Sequence, residues 1–335
     1  MNAEEKYKGF TFIIPTYNAA KYLERCLKSI RDQDYDQKKV EILVIDGGSG
    51  DNTLEIAGKF ACKVLNNPRR LAEYGVQLGI QKVTGDFLVV FAADNELVGS
   101  DWLKKVMGVF SYDKEVSAVW GKLASGKEDS SLNKYFELIQ SDPLNWFLNK
   151  NLRKYRDRAK VYKNDYFIFL ADPRMPLVWG ANGLVYRTER IREIWQQEGY
   201  LGDNDAFQCM IEKGNNKVAY FNTAFVYHHH VARISDWAKK WRRNFNQHLL
   251  DKEKTRNMNW VFTADFKLKL FFWSIYSVIP VFALAHCLYL MLKEKNIYWL
   301  YHPIVTCAQF WTYAALAISS QKGRAFIKNS TQPKR

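Results

Sequence analysis

Cysteine is scarce and unorganised: Cys26, Cys62, Cys209, Cys287 and Cys307 are the only five in 335 residues. They form no Cys-x-x-Cys pair and no Cys/His cluster at metal-ligand spacing. That argues against a disulfide-framed domain and a zinc site, and for free thiols in a reducing compartment. Internal repeats and low-complexity runs are missing as well, which removes solenoids and arrays. The opening MNAEEKYKGF is charged and lacks an apolar core, so no signal peptide is expected and the chain should begin in the cytosol. Acidic residues are outnumbered, 35 against 49 Lys and Arg, for a formal charge of +14. Such an excess suits nucleic acid, an anionic membrane surface or phosphorylated substrates. No recognised nucleic-acid motif accompanies it, so nucleic acid is not expected as a partner.

What is abundant is apolar and aromatic: 47% hydrophobic residues, with 21 Phe, 19 Tyr and 11 Trp. The first hundred residues alternate short apolar runs with amphipathic ones. FTFIIP reads as a buried strand ended by Pro15, and NAAKYLERCLKSIRDQ as a helix with Tyr22, Leu23, Cys26, Leu27 and Ile30 on one face and Asn18 as its N-cap. VEILVIDGGSGDNT is a strand breaking into a Gly-rich turn. DFLVVFA is a third strand, running into AADNE. Alternating strand and helix predicts a mainly parallel sheet with crossover helices, and ligands in such sheets gather beyond the carboxyl ends of the strands. The three strand ends, PTYN, DGGSGD and AADNE, therefore share a rim. There Asp46 is a carboxylate on a rigid strand end, and Gly48 and Ser49 offer amides and a hydroxyl suited to phosphate. Asp94 is a hard oxygen ligand suited to Mg²⁺ or Mn²⁺. A tight turn and a solvated loop explain the same two stretches without ligands. Residues 122–176, basic and aromatic, carry few turn signals.

The last third changes character. Residues 270–292 and 297–320 carry no formal charge and are separated only by KEKN. Apolar runs of roughly 20 residues match a bilayer core. The expectation is a C-terminal transmembrane helical hairpin, with a pair of buried helices in a soluble subdomain as the alternative. Lysines and arginines gather on the side of both termini, which places the preceding domain in the cytoplasm. The division expected is a 1–250 α/β domain, 251–268 amphipathic basic linker, 269–321 two membrane helices and 322–335 basic cytosolic tail. Lys239, Lys240, Trp241, Arg242 and Arg243 form a basic aromatic cluster fit for a diphosphate or for lipid headgroups.

Taken together, FIIPTYNAAKYLERCLKSI, ILVIDGGSGDNTLEIA, VVFAADNELVGSDWL, PLVWGANGLVYRTERIREI and GYLGDNDAFQCMIEKGNNKVAYFNTAFVYHH, in that order, resemble the family 2 glycosyltransferases with the GT-A fold. The resemblance covers roughly residues 9–245. It implies that Pro15, Thr16, Tyr17 and Asn18 border the nucleotide, that Asp46 contacts base or ribose, and that Gly48, Ser49 and Arg70 join the donor contacts. Gly47 stands where the family usually has a second aspartate. Asp94 corresponds to the second aspartate of the metal-binding Asp-x-Asp, with Ala92 in place of the first. Asp203 corresponds to the general base and Asp205 to a further acidic position, the two being interchangeable by a one-residue gap. Trp179, Gly180 and Asn182 fall on the acceptor side. His228 corresponds to a histidine that ligates metal in some relatives of the fold. The implied activity is an inverting transfer, with Mn²⁺ or Mg²⁺, from a nucleoside-diphosphate sugar to a lipid-linked or other saccharide acceptor at a membrane. A polyprenyl-phosphate acceptor and a non-catalytic nucleotide-sugar-binding subunit are the competing readings. WAKKWRRNF does not reproduce the Gln-x-x-Arg-Trp of the processive synthases, so a single transfer is expected.

Overall fold

The computed structural model describes residues 8–148, 151–175, 177, 182–195, 202–229, 233–244, 264–321 and 323–325. In chain order the elements are β1 (Phe10–Thr16), α1 (Ala20–Arg31), β2 (Val40–Asp46), α2 (Thr53–Lys59), β3 (Lys63–Asn66), α3 (Ala72–Ile80), β4 (Phe87–Phe91), β5 (Asn95–Leu97), α4 (Trp102–Tyr112), β6 (Ala118–Ala124), α5 (Ser131–Ile139), α6 (Pro143–Leu148) and α7 (Asn151–Asp157). They continue with β7 (Val161–Tyr162), β8 (Tyr166–Leu170), β9 (Asn182–Arg187), α8 (Thr188–Trp195), α9 (Asp203–Glu212), β10 (Lys217–His228), α10 (Ile234–Asn244), α11 (Ala264–Val278), α12 (Pro280–Glu294) and α13 (Tyr301–Ser319). Two compact units result, Met1–Gly126 with Asn151–His229, and Lys127–Lys150 with His230–Arg335.

The first unit is one sheet in the order β3-β2-β1-β4-β9-β6-β10-β8-β7, with β5 on β10. Phe87–Phe91 is buried at every position, so both faces need cover. On one face α1 supplies Leu23, Cys26, Leu27 and Ile30 at helical spacing, and α4 supplies Trp102, Val106 and Phe110. On the other, Val76 and Ile80 of α3, Ile191 and Ile194 of α8 and Phe207, Met210 and Ile211 of α9 pack against Ile13, Leu88 and Tyr186.

The expectation of a mainly parallel sheet is corrected here. Strands β3, β2, β1 and β4 are parallel, but β9 runs antiparallel to β4 and β6, and β8 antiparallel to β10. Strand direction is set by the path of the connecting chain, here the stretch 122–176 that offered few turn signals, and not by the strand's own residues. Asn18 is corrected too. The N-cap of α1 is Ala19, without a side-chain cap, and Asn18 takes the left-handed conformation at φ 50°.

Gly183 is the extra residue where Val90 faces Leu184 and Phe91 faces Asn182. Its φ is +75°, and a Cβ there would lie 2.5 Å from the Val226 side chain. Both backbone and space demand glycine. Gly183→Ala should therefore destabilise by roughly 2–4 kcal/mol, read as a lowered midpoint in thermal or denaturant unfolding.

The second unit is helical, with Tyr135, Phe136, Trp237, Trp241, Cys287, Leu290, Trp299 and Val305 at its centre. Polar groups stitch its helices. The Tyr135 hydroxyl is 2.8 Å from His302 Nδ1, His302 Nε2 is 2.9 Å from the Tyr276 hydroxyl, and that hydroxyl is 3.0 Å from His286 Nδ1. Gln309 donates to Asp142 at 2.8 Å and accepts from the Leu144 amide at 2.9 Å. The expected hairpin is not seen as two continuous spans. Residues 270–292 break at Pro280, where the helix pair Leu268–Val278 and Pro280–Glu294 bends by 89°. Proline lacks the N–H and the room to continue a helix, and it opens the next one instead. Among the described residues no single helix is long and apolar enough to cross a membrane. The expected linker 251–268 lies outside the described residues through 263, and of the tail 322–335 only 323–325 are described.

Candidate active site

The rim begins where β1 and β2 end side by side, Thr16 opposite Asp46. The two loops brace each other. Gly47 N donates to Thr16 O at 2.8 Å, Asn18 N to Ser49 Oγ at 2.8 Å, and Gly50 N to Asn18 Oδ1 at 2.9 Å. The first amides of α1, orphaned in any helix, are taken by the second loop: Ala19 N by Thr53 Oγ1 at 2.8 Å and Ala20 N by Asp51 Oδ2 at 3.1 Å. Asp46 is the hub. Its Oδ1 accepts from Thr16 Oγ1 at 3.0 Å and Ser49 Oγ at 2.6 Å, and its Oδ2 from Gly48 N at 2.9 Å and Ser49 N at 2.8 Å. The donors expected to face a phosphate, Gly48 N and Ser49, are thus turned onto Asp46.

Burial pushes the Asp46 carboxyl up, but hydrogen bonds from Ser49, Thr16 and Gly48 prevail and hold it below the ordinary carboxylate range. A depressed folded value means stability that is fully present above the unfolded pKa of about 3.9 and lost as pH falls through the folded value. Asp46→Asn places an amide against Gly48 N and Ser49 N and should cost about 3 kcal/mol at neutral pH. The gap between wild type and variant, followed by thermal melts, should hold above about pH 5 and close below about pH 4.

Outside this brace stand the groups open to a ligand. The Tyr17 ring is half exposed, and the exposed Arg70 guanidinium lies 5.8 Å above it. Arg70 has φ 55°, and its Nη2 is 3.6 Å from where a Cβ on Gly48 would sit. An aromatic face and a cation beside a glycine turn suit a base and a phosphate. Pro15, one step inside, packs its Cβ toward Gly75.

Across the rim, β4 ends at Phe91 and β5 pairs antiparallel with the end of β10, His228 facing Asn95 and Tyr227 facing Glu96. Asp94 Oδ2 comes within 3.6 Å of His228 Nε2. The next pair is Glu96 and His229, 3.2 Å apart, with Arg25 Nε 3.9 Å from the same Glu96 oxygen. His228 and His229 thus meet different carboxylates, and Glu96 is drawn to His229 and Arg25. Among the described residues no three His, Cys, Asp or Glu side chains form a metal-binding group. Two do fit one ion: cis ligands of an octahedral cation bound at about 2.1 Å stand about 3 Å apart, near the Asp94–His228 separation. An oxygen and an imidazole ligand suit Mn²⁺ better than Mg²⁺.

Asp203 and Asp205 occupy the first turn of α9, whose N-cap is Gly202, so neither carboxylate is the cap residue. Both complement the positive end of the helix. They differ in access: Asp205 is buried, at 1% exposure, while Asp203 is partly open. Asp203 also lies near the Tyr186 phenol, which burial and then the Asp203 charge push well up. Asn182 opens β9 opposite Phe91, which brings it to the Asp94 end of the sheet. Trp179 and Gly180 lie outside the described residues. Sequence reasoning did not single out Arg25 and His229 around Glu96, or Asp51 and Thr53 as caps of α1. The Asp-x-Thr pattern after the glycine turn was an available signal for the latter pair.

Residues 11–170 match the family model described as Glycosyl transferase family 2. Among curated proteins, the dolichyl N-acetyl-alpha-D-glucosaminyl phosphate 3-beta-D-2,3-diacetamido-2,3-dideoxy-beta-D-glucuronosyltransferase of Methanococcus voltae is 36% identical over 90 residues, 25% of this chain and 28% of that protein. Glycosyltransferase GlyA of Streptococcus pneumoniae serotype 4 is 23% identical over 241 residues, 69% of this chain and 32% of that protein. The chain thus spans about a third or less of the length of these curated relatives. Among solved structures, the mannosyltransferase PcManGT from Pyrobaculum calidifontis, in complex with GDP-Man and Mn²⁺, superposes with a TM-score of 0.56 at 15% identity, covering 95% of this chain and 89% of that one. At that identity the likeness speaks for the fold.

Proposed function

From the match of residues 11–170 to the glycosyl transferase family 2 model and the GT-A-like α/β fold, we infer an inverting glycosyltransferase that uses a nucleoside-diphosphate sugar. The observation that carries this is the pairing, on one sheet rim, of the braced Asp46 loop beside Tyr17 and Arg70 with the Asp94–His228 couple. Tyr17 stacks on the base, and Arg70 neutralises phosphate charge. Asp46 keeps the loop in shape for ribose and diphosphate. Asp94 and His228 hold a divalent cation, Mn²⁺ or Mg²⁺, which when bound draws off charge from the leaving diphosphate. Asp203, the more accessible acid of α9, takes the proton of the acceptor hydroxyl as the sugar's anomeric carbon is attacked in line, so the configuration inverts.

The acceptor in this reading is a lipid-linked saccharide on the cytosolic face of a membrane. Support comes from the dolichyl-linked acceptor in the name of the Methanococcus relative and from the exposed apolar helices of the second unit. Asn182, with Trp179 and Gly180 before it, belongs to the acceptor side. The test is transfer from a panel of UDP-, GDP- and dTDP-sugars to lipid extract, with and without Mn²⁺. One donor turned over in a metal-dependent way is the expected result. Donor binding without any turnover would make the chain a binding subunit instead.

A further inference from the structure

The corner between α11 and α12 is unlike a corner that faces water. Val278, Ile279, Pro280, Val281 and Phe282 are consecutive, apolar and all exposed, Val281 at 61% and Phe282 at 52%. The arms continue the pattern. On α11 Leu268, Phe271 and Phe272 are exposed on one face, and α12 buries the single stripe Ala283, Cys287 and Leu290 while leaving Leu284, Leu288 and Leu292 outside. Helix α13 is inverted in the same sense. Its fully buried stripe includes the polar His302, Thr306 and Gln309, whereas Ile304, Trp311 and Ile318, each seven residues from the next, are exposed. A helix against water hides its apolar side and shows its polar one. The reverse arrangement belongs to a surface whose solvent is hydrocarbon.

We propose that the α11–α12 corner is a wedge that enters one leaflet of a lipid bilayer and returns to the same side, with α13 as its lipid-facing support. Charge sets its depth. Exposed Lys269 marks one end of the bent pair, and exposed Lys293 and Lys295 mark the other. Helix rise gives about 14 Å from Lys269 to the corner and about 20 Å from the corner to Lys293. With an 89° bend and the apex lowest, the tip lies about 10–14 Å below these charges, within a leaflet of about 15 Å. The three lysines then meet anionic headgroups, which attract each such charge. A fully spanning hairpin would instead leave Lys293 and Lys295 on the far side.

The wedge is independent of the transfer chemistry and is tested without donor. The purified full chain is floated with vesicles of equal phosphatidylglycerol and phosphatidylcholine, alongside the double variant Val281→Asp/Phe282→Asp. Both side chains are exposed, so the variant keeps the wild-type melting profile. Wild type should float, and the variant should lose at least tenfold in bound fraction. Wild type left unbound, or a variant that floats as well, overturns the proposal. A membrane-impermeant amine label is then applied to cytosolic-side-out membrane vesicles and read by mass spectrometry. Labelling of Lys293 and Lys295 to the extent seen in opened vesicles is expected. Labelling only after the vesicles are opened shows a spanning hairpin and overturns the re-entrant wedge.

Discussion

Asp94→Ala should lower kcat/KM for metal-dependent sugar transfer by about 10²–10³, a loss of roughly 2.7–4 kcal/mol of transition-state stabilisation. Position 92, where the family's metal motif has its other carboxylate, is alanine. Among the described residues this corner therefore offers the Asp94 carboxylate and the His228 imidazole, 3.6 Å apart. Removing the carboxylate leaves a neutral ligand to carry a dication against a diphosphate. Glu96 does not stand ready to replace it, because its carboxylate is engaged by His229 and Arg25. His228→Ala removes the weaker partner and should cost less, about 10–100-fold, most of it in the apparent affinity for Mn²⁺. Titration of Mn²⁺ by donor-dependent calorimetry separates the two: raised metal dissociation constants with folding intact are expected for both variants. Unchanged turnover in Asp94→Ala would remove the metal from this corner altogether.

The parts of this site legible in the sequence are those written in local patterns. Apolar runs ending in PTYN, DGGSGD and AADNE declared strand ends, and parallel β1, β2 and β4 brought them to one rim. What escaped was non-local. Asn18 has the side chain of an N-cap, yet the neighbouring loop supplies Thr53 and Asp51 to the α1 amides and leaves Asn18 to bind Gly50. Asp46 was legible as a carboxylate at a strand end. That four donors converge on it depends on Thr16, from another strand, as much as on its own turn. The antiparallel insertion of β9 reflects the path of the preceding chain. The apolar run 270–292 was visible as lipid-compatible, but Pro280 turned one expected span into two helices at 89°. A proline inside an apolar run is a local signal, and it outranked the length of the run.

Asp203→Asn should abolish transfer to a hydroxyl acceptor, with kcat down by about 10²–10⁴ and donor affinity unchanged. The neighbouring Asp205 is at 1% exposure on the third residue of the same helix, out of reach of an acceptor without refolding the turn. Asp205→Asn is accordingly expected to lower the melting temperature by a few degrees while sparing kcat in the folded fraction. Two further readouts distinguish a base from a merely structural acid. A small acceptor already ionised at its attacking atom, such as azide, needs no deprotonation, so it should react with wild type and Asp203→Asn at comparable rates. A lipid phosphate acceptor needs none either. Should Asp203→Asn keep full activity on polyprenyl phosphate and Asp94→Ala lose it, the acceptor is the phosphate itself and the donor half of the site stands as derived. If Asp205→Asn loses kcat and Asp203→Asn does not, the base belongs two residues further along α9.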